Sequence, residues 1–199
     1  MTHRRSLCLA LVCALGVLAA PAAAQAGLPG DPLALSHDVA RDGVAVYRDP
    51  PVEFDGRYVV ISLEAHRLYV VEGDRVLWDA PVGTGKGTRL ESAGRKWDFS
   101  TPRGVFRIQY KEKDPVWRVP DWEFIELGQP VPPPDSPKRL QAGALGTTAM
   151  YLEEDVAVHG TNHPELLGQS VSHGCIRMTN EAARRLFHQV HVGTPVVIY

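Results

Sequence analysis

Seven prolines fall between residues 111 and 146, and no other stretch limits the fold as much. Proline fixes φ and lacks a backbone N–H, so such a segment forms neither a regular helix nor a central strand. Its two tryptophans, Trp117 and Trp122, argue against disorder, which is poor in aromatic residues. Long irregular segments in compact domains serve as lids or binding loops. A cover over a functional site is therefore one expectation, and packing of the two rings onto the core is the other.

Outside this segment the pattern is β. Residues 58–63 and 67–71 are rich in aromatic and β-branched side chains, Glu72-Gly73-Asp74 turns the chain, and residues 75–78 complete a hairpin. In 105–110, Phe106, Ile108 and Tyr110 alternate with Arg107 and Gln109, as in a half-buried strand. Residues 156–158 read as a short strand that delivers His159 at its end. One helix is expected, with Thr179 or Asn180 as N-cap, Ala183, Leu186, Phe187 and Val190 at helical spacing, and Gly193 as the stop. Residues 195–199 read as a final strand. The glycines of 83–88 do not make a phosphate loop, since Lys86 is followed by Gly87 and by no helical pattern; a flexible turn after a strand is expected. The chain reads as mostly β with a short helix.

Residues 1–26 have a basic start (Arg4, Arg5), an apolar run over 7–20 and Ala24-Gln25-Ala26 as a small-residue cleavage site, the pattern of a secretory signal peptide. The run is shorter than the ~20 residues that span a bilayer. No small residue precedes Cys8 or Cys13, so no lipid anchor is indicated, and an exported protein without a membrane anchor is expected. Residues 27–56, broken by Pro29-Gly30-Asp31-Pro32 and Asp49-Pro50-Pro51, read as an N-terminal extension. The 173 residues left after cleavage carry 19 basic and 23 acidic side chains, which offers no basic surplus for nucleic acid. One domain, working as a monomer, is expected over 57–199.

The chemistry concentrates in 159–175, HGTNHPELLGQSVSHGC, which holds three of eight histidines and Cys175, the sole thiol once the leader is removed. Such a thiol cannot form an internal disulfide, and in an oxidising compartment it is retained for its reactivity. Its pKa, ordinarily about 8.5, falls beside an imidazolium. His173 is adjacent and His159 lies sixteen positions upstream.

His159-Gly160-Thr161 followed by Ser172-His173-Gly174-Cys175-Ile176-Arg177-Met178 resembles the signature of the L,D-transpeptidase (YkuD-type) catalytic domain. The resemblance runs over about 57–199 and takes in Val82-Gly83-Thr84-Gly85-Lys86, the STPRGVF of 100–106 and Gly193-Thr194-Pro195-Val196. It implies a β-sandwich-like fold and a cysteine acyltransferase that needs no cofactor. Cys175 is then the nucleophile and His159 the base, oriented by the carbonyl of Gly160, with N–H groups of His173, Gly174 and Cys175 as the oxyanion hole. The implied substrate is a peptidoglycan tetrapeptide stem that loses its terminal D-alanine. Its acyl group passes to the amine of another stem, giving a 3→3 cross-link, or to an envelope protein. With water as acceptor the same site is an L,D-carboxypeptidase. His173 tunes the thiol or shapes the turn. Arg177, where many members carry Asn, binds a substrate carboxylate or pairs with an internal acid. Trp117 and Trp122 would contact substrate if their segment is a lid.

Two other classes compete. His159-x3-His163 with His173-x-Cys175 offers four ligands of the kind zinc favours, although structural zinc motifs space them differently. A non-catalytic wall-binding module is the other, and it leaves the intact HG and SHGC pair unused.

Overall fold

A computed structural model describes Phe54 and residues 56–153 and 156–199. The leader, and the extension apart from Phe54 and Gly56, lie outside the described residues. In chain order the elements are β1 (Arg57–Ser62), β2 (Arg67–Glu72), β3 (Arg75–Pro81), β4 (Thr84–Gly85), β5 (Arg89–Ser92), β6 (Arg95–Asp98), β7 (Gly104–Arg107), β8 (Tyr110–Lys113), β9 (Val116–Arg118) and α1 (Asp121–Glu126). There follow β10 (Leu140–Ala142), β11 (Thr148–Glu153), β12 (Val156–Thr161), β13 (Ser170–Ser172), β14 (Ile176–Thr179), α2 (Asn180–Gln189) and β15 (Pro195–Ile198).

Two sheets carry the structure: β3-β2-β1-β15-β7, and β14-β12-β11-β8. The expected hairpin is β2–β3, and the expected final strand, β15, runs parallel to β1 inside the first sheet. One apolar core joins the sheets, with Val59, Ile61, Leu68 and Ile198 from the first, Met150, Leu152, Val158, Ile176 and Met178 from the second, and Ala183 and Leu186 from α2. Burying one such side chain contributes about 1.5–3 kcal/mol, which is why period-2 patterning decides the faces. Helix α2 begins as the sequence predicts: Thr179 Oγ1 accepts from Ala182 N at 3.1 Å. It ends at Gln189, short of Gly193, where Lys111 Nζ donates to the carbonyls of Phe187 and Val190 at 2.5 and 2.6 Å. A cation there complements the negative end of the helix dipole. Among the described residues no helix is long and apolar enough to cross a membrane.

Three local expectations are corrected. The strand expected over 105–110 is two strands in different sheets, since Ile108 N donates to Thr194 O and Gln109 N to Tyr151 O. Alternation is a local signal and does not reveal that the partner strand changes. The 83–88 loop is no flexible turn: Val82 and Thr84 are buried, β4 pairs with β13, and Gly83 bridges Arg177. Within the proline-rich segment a six-residue helix, α1, starts directly after Pro120, and β9 pairs with β10. The prolines leave backbone carbonyls without ladder partners. The buried Arg139 guanidinium takes several of them, donating to Val119 O at 2.9 Å and Pro132 O at 2.7 Å, and also meets Asp121 Oδ1 at 2.5 Å.

Candidate active site

Strands β12 and β14 are parallel neighbours, with Val158 opposite Ile176 and His159 opposite Arg177. Val158, Ile176 and Met178 enter the core. Alternation therefore sends His159 and Arg177 to the other face of the sheet. His159 lies in the middle of β12, which continues to Thr161, instead of at a strand end. Cys175 immediately precedes β14, so by this register it stands level with Ala157, on the strand next to His159 and two residues from it along the strand direction.

His159 is 3% exposed. Its Nδ1 lies 2.6 Å from the carbonyl oxygen of Gly160, an acceptor, so Nδ1 carries the hydrogen and Nε2 keeps its lone pair. Burial pulls its pKa down to about 4, with the Arg177 charge adding to the effect and the carbonyls of Gly160 and Leu145 opposing it. The ring is neutral at neutral pH. Gly160 has no room for a side chain, since a Cβ there would stand 2.1 Å from Asn180 Oδ1. Burial raises the phenol of Tyr151, from β11, and Glu112 raises it further.

The Ser172–Cys175 turn is tied down on several sides. Ser172 Oγ donates to Cys175 O at 2.5 Å and accepts from Gly174 N at 3.1 Å, and Gly174 adopts φ +127. Thr101 Oγ1 donates to Gly174 O at 2.9 Å and accepts from Gly85 N at 2.8 Å. Lys86 N donates to Ser172 O at 2.8 Å. The N–H of Gly174, expected in an oxyanion hole, is thus engaged by Ser172.

His173 turns towards the proline-rich segment. Its Nε2 is 2.6 Å from Glu126 Oε2 and 2.8 Å from Lys86 Nζ, while Lys86 Nζ donates to Glu126 Oε1 at 2.9 Å. The ring stacks on Trp122 at 4.0 Å and meets Phe99 edge-on at 4.5 Å; Trp117 lies 6.0 Å beyond Trp122. Burial lowers the His173 pKa, against the pull of Glu126. Burial alone would raise Glu126, but the hydrogen bonds from Lys86 and His173 outweigh it.

The four residues of the competing zinc site do not converge. His163 is exposed and faces Glu165 at 3.1 Å, and His173 is turned to Glu126. Among the described residues the metal-capable atoms that gather are those of Glu123, Glu126 and His173, within 4.8 Å of one another. There the Lys86 ammonium already occupies the place of a cation. Arg177 shows no carboxylate partner among the described residues. The sequence reading gave no site role to Lys86, Glu126, Thr101, Leu145 or Asn180. Lys86 and Thr101 lay inside quoted motifs and Asn180 was an N-cap candidate, whereas Glu126 and Leu145 left no trace.

Residues 56–198 match the family model described as the L,D-transpeptidase catalytic domain, YkuD. The chain is 34% identical over 142 residues to a putative L,D-transpeptidase of Bacillus subtilis, YqjB, covering 71% of this chain and 70% of the relative. It is also 34% identical over 151 residues to the probable L,D-transpeptidase ErfK/SrfK of Salmonella typhimurium, where it spans 43% of the relative's length. Among solved structures, the L,D-transpeptidase from Xylanimonas cellulosilytica superposes with a TM-score of 0.55 at 27% identity, covering 77% of this chain and 65% of that one.

Proposed function

The chain belongs to the L,D-transpeptidase catalytic-domain family, a family of enzymes, and from that premise we propose that it transfers peptidoglycan stem acyl groups through Cys175. The observation that supports this reading is the parallel pairing of β12 with β14, which brings Cys175 and His159 onto adjacent strands two residues apart in register, with His159 neutral and its Nδ1–H on Gly160 O.

Cys175 Sγ attacks the carbonyl of the third stem residue, in the amide that joins it to D-alanine, as its proton passes to His159 Nε2. With burial holding His159 near 4, the ring is neutral and its Nε2 lone pair can take the thiol proton as Sγ attacks. N–H groups of the 173–175 turn stabilise the oxyanion; that of Gly174 is shared with Ser172 Oγ. Collapse expels D-alanine, whose amine takes the proton back from His159, and leaves a thioester on Cys175. An amine of a second stem or of an envelope protein attacks the thioester, giving its proton to His159, and the thiolate leaves. Arg177, one strand from His159 and with no carboxylate partner among the described residues, is suited to a stem carboxylate.

In the same reading residues 1–26 are a removable leader, 27–56 an extension, 57–199 the catalytic domain, and the envelope is where the enzyme works. The test is incubation with a defined tetrapeptide stem and an excess of a D-amino acid, followed by mass analysis. Exchange of the terminal residue and dimer formation are expected, with tripeptide as a minor product. Tripeptide as the main product at saturating amine replaces the transferase by a carboxypeptidase, and the absence of any adduct on Cys175 removes both.

A further inference from the structure

We propose that Glu126 and Lys86 are positioning residues that hold the Ser172–Cys175 turn through His173, which makes the proline- and tryptophan-rich segment a fixed wall of the active site instead of a lid. The proposal rests on the transferase reading for its kinetic consequence only.

The geometry specifies the arrangement. Nε2 of a neutral imidazole either donates or accepts, and here it meets both a carboxylate oxygen and an ammonium. The two oxygens of Glu126 take one partner each, Oε1 accepting from Lys86 at 2.9 Å and Oε2 accepting Nε2–H at 2.6 Å, so that Lys86 Nζ neighbours Nε2 through the shared carboxylate and not by a hydrogen bond of its own. Glu126 thereby bridges two loops that converge on the thiol, since Lys86 belongs to the chain whose N–H binds Ser172 O, and His173 lies two positions before Cys175. Trp122 closes the assembly from the same helix, α1, by stacking on the imidazole at 4.0 Å, with Phe99 against its edge. The side chains of Lys86, Glu126 and His173 are 27, 29 and 19% exposed, so their charges are shielded from water more than those of a surface pair such as Lys96–Glu91, at 76 and 63%. A lid must part from the site it covers, whereas opening this segment would strip His173 of its carboxylate and of its stacking partner together.

The test uses Glu126→Gln, Lys86→Met and the exchange Lys86→Glu with Glu126→Lys. Amide hydrogen exchange over residues 172–175 reads the turn without any substrate. It should quicken at least tenfold in each single variant while β1, β2 and β15 remain protected. Acylation of Cys175 by the tetrapeptide should slow about tenfold to a hundredfold in kcat with KM within twofold, and the exchanged pair should recover most of both losses. Unchanged exchange in the turn, or a loss confined to KM, overturns the proposal, the latter because it returns the segment to a substrate-binding lid. If wild-type protein forms no adduct on Cys175, the transferase reading falls on its own, and the exchange measurement still decides whether the network holds the turn.

Discussion

His159 and His173 stand on two walls of one site and are held by opposite means. His159 sits within a sheet, 3% exposed, and its ring is anchored by the carbonyl of its own neighbour. His173 sits in a turn, half-buried, anchored by side chains 47 and 87 positions away in the sequence. The first region obtains its geometry from backbone pairing, which tolerates no slip in register. The second obtains it from charge and ring contacts, which can be removed singly. Burial leaves His159 neutral. Burial beside a carboxylate leaves His173 as a strut.

The strongest way to break this comparison is to exchange the roles. Cys175→Ala and His159→Gln should each lower product formation by about a thousandfold or more, and the double variant should be no worse, because the two act as a unit. His173→Gln should cost only about tenfold to a hundredfold. A His173 variant as inactive as the His159 variant would move the base to His173.

The next largest effect is on stability against pH. The folded pKa of His159 lies below its unfolded value, so the unfolded chain binds the proton first as pH falls, and stability is complete above about 6.5. Between there and about 4, on the order of 3 kcal/mol should be lost, read as a falling urea midpoint. In His159→Gln the curve should flatten over that window, and an unchanged slope would show that the ring is not buried neutral.

Gly160→Ala should cost about 2 kcal/mol by overpacking against Asn180 Oδ1. Asn180→Ala in the same chain should recover part of that loss, which distinguishes a steric conflict from backbone strain. Thermal denaturation of the two single variants and the double variant reads the coupling. The smallest effect sharpens the contrast between walls and surface: Lys96→Met, which removes an exposed pair with Glu91, should leave the denaturation midpoint within error. Lys86→Met, by comparison, should loosen the turn.

Much of the fold was legible in the residues because hairpins and amphipathic helices are local. Glu72-Gly73-Asp74 announced the β2–β3 turn, and Thr179 announced the cap of α2. The 105–110 run misled for the same reason: Phe106 and Ile108 alternate correctly, yet the chain leaves one sheet for the other between them and Tyr110. The glycine loop at 83–88 looked mobile because its anchors, Ser172, Gln169 and Arg177, are far along the chain. Proline content indicated what 111–146 cannot be. It did not indicate that Arg139 would gather the stranded carbonyls and let α1 dock.

By itself the sequence determined the family resemblance: a cysteine in SHGC, a histidine followed by glycine, and a β-rich chain to carry them, since residue type and period-2 patterning are properties of short stretches. Only the tertiary structure decided that β12 and β14 are neighbours and parallel, that the N–H of Gly174 is taken by Ser172, and that Glu126 is the carboxylate that meets His173. Those outcomes depend on which strands pair and on how a proline-rich chain satisfies its carbonyls. Both are settled by burial and hydrogen bonding over long separations, where no local pattern carries the information.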